Sequence, residues 1–286
     1  MKLYEPSTIK LIKNKYGFRF SKSLGQNFLI DKGVLDDITE GAGLSKDDLV
    51  IEIGPGIGVL TQAAAEKAGK VVAVEIDEGL IEVMRFTLFD ADNVRIINGN
   101  ILKTDLKALI EQEKGALTNV KIIGNLPYYI TTAIIMKLLQ DKPGCESITV
   151  MMQKEVGDRI MAAPGSREYG AISVAVQYYS IVNRIAEVNK ASFMPRPKVD
   201  SCVLRMDILD TPAAAPEDED HFFKVVRAAF GQRRKTLLNS LGSTGAPKSV
   251  LAEALEEAGI DKSRRAETLT LEEFARLSDV LAQKGY

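Results

Sequence analysis

The chain is poor in the residues that perform much of enzymatic chemistry. It has one histidine, His221, so histidine-based catalysis has a single candidate. That residue directly follows the acidic run Glu217 to Asp220 and reads as a solvated helix-start residue. The two cysteines, Cys145 and Cys202, are far apart in sequence and in no metal-ligand spacing. They form no disulfide framework, a reducing cytosol is the expected compartment, and no metal is expected. No apolar run is long enough to span a bilayer, and the opening Met-Lys-Leu-Tyr-Glu-Pro leads into no signal-like apolar stretch, so no membrane association is expected. An excess of positive charge is also missing. With a net charge of −2, nucleic acid is a poor partner on that figure alone.

The charge is uneven, however. Residues 1–30 carry Lys2, Lys10, Lys13, Lys15, Arg19 and Lys22 against only Glu5. Two basic clusters come late, Arg233-Arg234-Lys235 and Lys262 with Arg264-Arg265. Local patches of this kind can bind phosphates on a protein of neutral overall charge, although each taken singly also reads as a solvated face. The 286 residues, 45% hydrophobic and 27% charged, suit a globular protein with one large and one small domain.

From residue 49 the pattern alternates between strand and helix. Strands are expected at 49–53, 70–76, 94–98, 120–124 and 147–152, and helices at 59–68, 78–88, 106–112, 131–139 and 153–161. Such alternation implies a mostly parallel sheet covered on both faces. Before it, Lys22 to Leu29 is too polar for a strand, and Asp31 to Ala42 reads as a helix capped by Asp31. After it, Asp200 to Asp207 alternates like an edge strand. The proline-bearing acidic run 210–220 reads as a domain linker, followed by about four short helices. The expected domains are 1–209 and 210–286.

The loop Gly54-Pro55-Gly56-Ile57-Gly58 stands between a strand and a helix. Glycines there let backbone approach a ligand closely. The spacing is neither G-x-G-x-x-G nor a P-loop. Glu75 ends the next strand, where a carboxylate can accept both hydroxyls of a ribose. Together these suit a nucleoside cofactor lacking a pyrophosphate, S-adenosylmethionine. A ligand-free turn and a dinucleotide site stay open as alternatives at this level.

Asn125-Leu126-Pro127-Tyr128 leaves the fourth strand of the alternation. Proline ends the strand and biases Leu126 towards an extended conformation. The segment offers an amide, a backbone carbonyl and an aromatic face, a set able to hold the exocyclic amine of a flat base. A strand-ending turn with a capping Asn and a half-buried Tyr accounts for the tetrapeptide equally well.

The ordered motifs narrow the choice. They are Gly25-Gln26-Asn27-Phe28-Leu29, Glu52 to Thr61, Val74-Glu75-Ile76-Asp77, Asn125 to Tyr128, Gln153-Lys154-Glu155-Val156, Phe193 to Ser201 and Phe230 to Leu237. In this set the chain resembles the KsgA-type (RsmA) ribosomal RNA adenine N6-dimethyltransferases. The resemblance implies a Rossmann-like class I S-adenosylmethionine-dependent methyltransferase domain (α/β, mostly parallel sheet) with a small C-terminal all-α domain that grips RNA. It implies dimethylation of two adjacent adenines near the 3′ end of 16S ribosomal RNA in the small (30S) subunit, by a cytoplasmic enzyme expected to be a monomer. Asn27, Leu29, Gly54, Gly56, Glu75, Ile76, Asn100, Ile101 and Asn125 would contact the cofactor. The family usually has Asp where this chain has Asn100; an amide oxygen can still accept the hydrogen bond, without charge assistance. Asp105 is a local substitute, with a helix N-cap as its simpler role. Asn125 and Leu126 would hold the target amine, and Tyr128 and Phe193 would sandwich the base; without the resemblance, Phe193 reads as a core aromatic beside a proline-stiffened loop. Arg196, Lys198, Arg233, Arg234 and Lys235 would meet RNA phosphates. A large-subunit (23S) enzyme of the antibiotic-resistance type and a non-catalytic assembly factor are the competing readings.

Overall fold

A computed structural model describes residues 1–18 and 25–286. Arg19 and Lys22 of the basic lead-in therefore lie outside the described residues. The chain divides into two compact units, one of residues 1–157 with 182–208 and one of 158–181 with 209–286.

The first unit opens with helix α1 (Pro6–Tyr16), followed by the two-residue strand β1 (Phe28–Leu29) and helix α2 (Lys32–Gly41). Asp31 caps α2, accepting from the Gly33 and Val34 amides. The alternation follows as β2 (Asp48–Ile53), α3 (Val59–Lys67), β3 (Lys70–Glu75), α4 (Glu78–Thr87), β4 (Val94–Asn98), α5 (Leu106–Lys114), β5 (Asn119–Asn125), α6 (Thr131–Asp141), β6 (Ser147–Gln153) and α7 (Lys154–Met161). Asp77 caps α4 and Asp105 caps α5, the latter accepting from the Ala108 amide at 3.1 Å. The simpler role for Asp105 is thus the one observed.

After α8 (Ala171–Tyr179) come β7 (Ser180–Val188), the short β8 (Phe193–Met194) and β9 (Ser201–Ile208). The main sheet has the order β4-β3-β2-β5-β6-β9-β7. β4 to β6 are mutually parallel, and β9 runs antiparallel to β6. β9 is therefore an interior strand, not the edge strand its alternation suggests; Cys202, Val203, Leu204 and Met206 are all fully buried. The β1–β8 ladder, Phe28 opposite Met194 and Leu29 opposite Phe193, also departs from the reading of residues 22–29 as too polar for a strand.

Connections run outward from β2 through β3 to β4 on one side, and from β5 to β6 on the other. The strand order thus reverses between β2 and β5. In such sheets the crevice beyond the carboxyl ends at the reversal is where ligands bind. Ile53 pairs with Gly124, so Gly54 and Asn125 leave the sheet side by side. Gly124 permits this closeness, since a Cβ there would stand 2.8 Å from the Ile53 carbonyl oxygen.

The second unit contains α8 together with α9 (Glu219–Phe230), α10 (Leu237–Ser240), α11 (Lys248–Glu257) and α12 (Leu271–Gln283). It takes residues 158–181 as well as 209–286, unlike the single cut expected at 209/210. The reason is an aromatic cluster. The Tyr178 ring stacks on Phe222 at 5.0 Å between centroids, and Tyr179 stacks on Phe223 at 5.6 Å. The acidic run packs back as well, the Ala213 amide donating to the Tyr178 carbonyl at 2.9 Å. Of the short helices expected after the acidic run, α10 is a single turn, starting at Leu237 and ending at Ser240. Among the described residues no helix is long and apolar enough to cross a membrane.

Candidate active site

A cavity of about 270 Å³ occupies the crevice at the strand reversal. Its wall is drawn from the β1 segment, the loop after β2, the end of β3, the segment after β4 and the loop after β5. Asn27, Leu29, Gly54, Gly56, Glu75, Ile76, Asn100, Ile101, Asn125, Leu126 and Tyr128 all line it. Eleven residues that the sequence scatters over a hundred positions thus share one surface.

The glycine loop is shaped by backbone that other residues resist. Gly54 and Gly56 sit at φ +66° and +63°. A Cβ on Gly56 would stand 2.7 Å from the Phe28 ring, so that ring closes directly on the loop. Glu75 ties the loop to the next strand. One carboxylate oxygen accepts from the Gly56 amide at 3.1 Å, and the other from Ile76 and Asp77, both at 2.9 Å. A carboxylate offers about four acceptor positions, so three amides leave roughly one for a hydroxyl. Accepting both hydroxyls of a ribose requires bifurcation or release of an amide. Burial raises the Glu75 pKa, and the three amide bonds oppose that shift. Ile76, half exposed, presents an apolar face beside this acid.

Asn100 Oδ1 accepts from the Leu102 amide at 2.9 Å, a turn of the asparagine type. The turn fixes which end of the side-chain amide is which. One of the oxygen's two lone pairs is used, and among the described residues the NH2 group has no partner.

Asn125 is held in the same manner. Its Nδ2 donates to the Asn27 carbonyl at 2.8 Å, which leaves Oδ1 as the acceptor. Asn27 Nδ2 in turn donates to the Gly25 carbonyl at 3.0 Å. The Leu126 amide donates to the Met151 carbonyl at 3.0 Å, fixing the backbone of the tetrapeptide against β6. The Tyr128 hydroxyl lies 2.7 Å from Ser201 Oγ, and burial raises its pKa.

Phe193 stands apart from these. It is 3% exposed, paired with Leu29 across the β1–β8 ladder, and absent from the cavity lining. It supports the strand that supplies Leu29 and follows Asn27 directly. Arg196 and Lys198 are exposed in the segment between β8 and β9. Arg233, Arg234 and Lys235 are exposed in the second unit, where Arg233 donates to the Arg167 carbonyl.

Four contributors have no role in the sequence reading: Glu52, Gln26, Tyr129 and Ser201. Glu52 is 1% exposed, borders the cavity, and its Oε2 has no hydrogen-bond partner. Burial, reinforced by the Glu75 charge, pushes its pKa up to about 8. A charged residue inside the apolar run Leu49-Val50-Ile51-Glu52-Ile53 was the available signal, since such a strand is buried on both faces. Gln26 Nε2 donates to Asp77 at 2.9 Å, joining the β1 segment to the end of β3.

The donor set fits S-adenosylmethionine. It provides a close glycine backbone, a buried acid at the end of β3, flanking apolar side chains and no phosphate-type Gly-Lys-Ser/Thr loop.

Comparison with known proteins agrees. The family model for ribosomal RNA adenine dimethylase matches residues 17–283. The ribosomal RNA small subunit methyltransferase A of Alkaliphilus oremlandii is 53% identical over 285 residues, 99% of each chain. That of Clostridioides difficile is 48% identical over 284 residues, 99% of this chain and 98% of the other. Among solved structures, a dimethyladenosine transferase from Plasmodium falciparum superposes with a TM-score of 0.74 at 25% identity, covering 90% of this chain and 98% of that one. The 23S rRNA methyltransferase ErmE superposes with a TM-score of 0.66 at 26% identity, covering 90% of this chain and all of the other.

Proposed function

The chain belongs to the ribosomal RNA adenine dimethylase family, and we propose that it transfers methyl groups from S-adenosylmethionine to N6 of two adjacent adenines near the 3′ end of 16S ribosomal RNA in the small (30S) subunit. The observation that carries this reading is the orientation of Asn125. Its amide nitrogen is committed to Asn27, so its oxygen is the atom left to meet an amino group, within the same cavity as Glu75 and the glycine loop.

S-adenosylmethionine, when bound, supplies an electrophilic sulfonium methyl. Glu75, Ile76, Ile101, Asn27 and Leu29 would hold it, with Gly54 and Gly56 giving the backbone room. The N6 lone pair of adenine is delocalised into the ring, so the amine is a poor nucleophile. Asn125 Oδ1 and the Leu126 carbonyl accept the two N6 hydrogens. That draws the nitrogen towards tetrahedral geometry and aims its lone pair across the cavity, an effect of positioning. As the N–C bond forms the S–C bond breaks and S-adenosylhomocysteine leaves, and the nitrogen, made acidic by the methyl it gains, gives its proton to water without a strong base. The base must leave its stack to reach the cavity, and the Tyr128 ring offers a face that offsets part of that cost, on the order of 1–3 kcal/mol. Arg196, Lys198, Arg233, Arg234 and Lys235 contact phosphates. The enzyme acts in the cytoplasm as a monomer and without a metal ion.

Incubating the protein with purified small and large subunits and labelled cofactor tests the reading. Label in unmethylated small subunits supports it. Label in the large subunit alone favours an ErmE-like activity, and no label in either favours a non-catalytic assembly factor.

A further inference from the structure

The loop after β5 carries two consecutive tyrosines in different circumstances. Tyr128 is half-buried and its hydroxyl meets Ser201 at 2.7 Å. Tyr129 is 59% exposed and borders the same cavity. Among the described residues, neither its hydroxyl nor its ring has a hydrogen-bonding or aromatic partner. Only Phe89, Tyr129 and Tyr286 are exposed large aromatics among the described residues, and of these Tyr129 alone borders the cavity.

The ring also has a fixed setting. One edge faces Gly25, where a Cβ, if present, would stand 3.5 Å from Cδ1 of the tyrosine. The loop beneath it is a closed turn, with the Ile130 amide donating to the Pro127 carbonyl at 3.2 Å and the Thr131 hydroxyl to the same oxygen at 2.9 Å. The result is an aromatic side chain held at a cavity mouth and left uncovered.

We propose that Tyr129 is a stacking platform for the base adjacent to the adenine in the cavity. The proposal rests on the reading of the cavity as an adenine pocket. Drawing one of two adjacent adenines out of a stack bares a face of its neighbour. The two are joined by a single phosphodiester, so the neighbour remains just outside the mouth. An exposed aromatic ring there replaces the lost stacking partner, and such stacking is tolerant of base identity. It therefore serves either adenine of the pair, whichever is in the cavity.

The test uses the full-length protein and unmethylated small subunits. Tyr129→Ala is expected to raise the KM for subunits roughly fivefold to a hundredfold, while S-adenosylmethionine affinity measured by calorimetry stays within about twofold of wild type. Tyr129→Phe and Tyr129→Trp, which keep a ring, restore most of the loss. The proposal is overturned if Tyr129→Ala uses subunits as wild type does, or if Tyr129→Phe is as impaired as Tyr129→Ala. It is also overturned if Tyr129→Ala weakens the cofactor as much as the subunit, which would assign the ring to the cofactor. Failure of the adenine-pocket reading is seen separately, as an Asn125→Ala variant that methylates like wild type.

Discussion

The side-chain nitrogen of Asn125 donates to the backbone carbonyl of Asn27 across 98 positions of sequence, at 2.8 Å. This bond orients the amide and ties it to the segment that borders the cavity. Asn125→Asp sets an oxygen against the Asn27 carbonyl. We expect kcat to fall on the order of a hundredfold, the scale on which a misplaced reacting group is felt. Cofactor affinity should change much less. Single-turnover methyl transfer at saturating cofactor measures this, and an unchanged rate would mean that Asn125 does not position the amine.

Ser201 is expected to act through Tyr128. Ser201→Ala removes the partner of the Tyr128 hydroxyl and costs about 1 kcal/mol of stability. The freed ring should also raise the KM for small subunits. In a Tyr128→Phe background the same substitution should add little, because the shared hydrogen bond is already gone. Additive losses in this cycle would mean that the two residues act independently.

Asn100→Asp should tighten the cofactor. Aspartate keeps the turn bond to the Leu102 amide and adds a second, charged acceptor in place of the NH2 end. A charge-assisted bond in place of a neutral one is worth about fivefold in Kd. Calorimetric titration with S-adenosylmethionine reads it directly. Equal or weaker binding by the variant would show that the NH2 end is itself the group in use.

Glu52 gives a pH dependence of known sign. Its pKa is raised by burial from 4.5 in the unfolded chain to about 8 in the folded one. Between those values the folded state holds a proton that the unfolded state has released. Its contribution to stability is therefore complete below about 4.5 and is lost as pH rises towards about 8. Glu52→Gln, neutral at every pH, should lose no such contribution. The melting temperature of the variant relative to wild type should rise steadily from pH 5 to pH 8. A constant difference over that range would place the Glu52 proton elsewhere.

Much of the architecture was legible because local rules and fold agree. The strand–helix alternation, Asp31 as a cap and the glycine loop at the end of β2 all follow from short-range pattern. So does the gathering of Glu75, Asn100 and Asn125, because parallel strands bring their carboxyl ends to one edge. Features set by distant pairing were not legible. Phe193 lies against Leu29 through a ladder of two residues on each side, too short to leave a periodic signal. β9 reads as an edge strand from its alternation, but β7 covers it. Residues 158–181 join the helical unit because Tyr178 and Tyr179 meet Phe222 and Phe223, a match with no sequence spacing to betray it. Glu52 was visible as a charge in a buried strand, yet only the cavity beside it gives that charge a meaning.

Whether Asn125 presents N6 of a ribosomal adenine to the methyl donor is decided by nucleoside analysis of treated small subunits. Unmethylated subunits are incubated with saturating S-adenosylmethionine and either wild-type protein or Asn125→Ala, then digested and resolved by mass. Wild type should yield N6,N6-dimethyladenosine and the variant little or none, although both bind the cofactor. Equal yields of dimethyladenosine from the two proteins would refute the role of Asn125 in holding the amine.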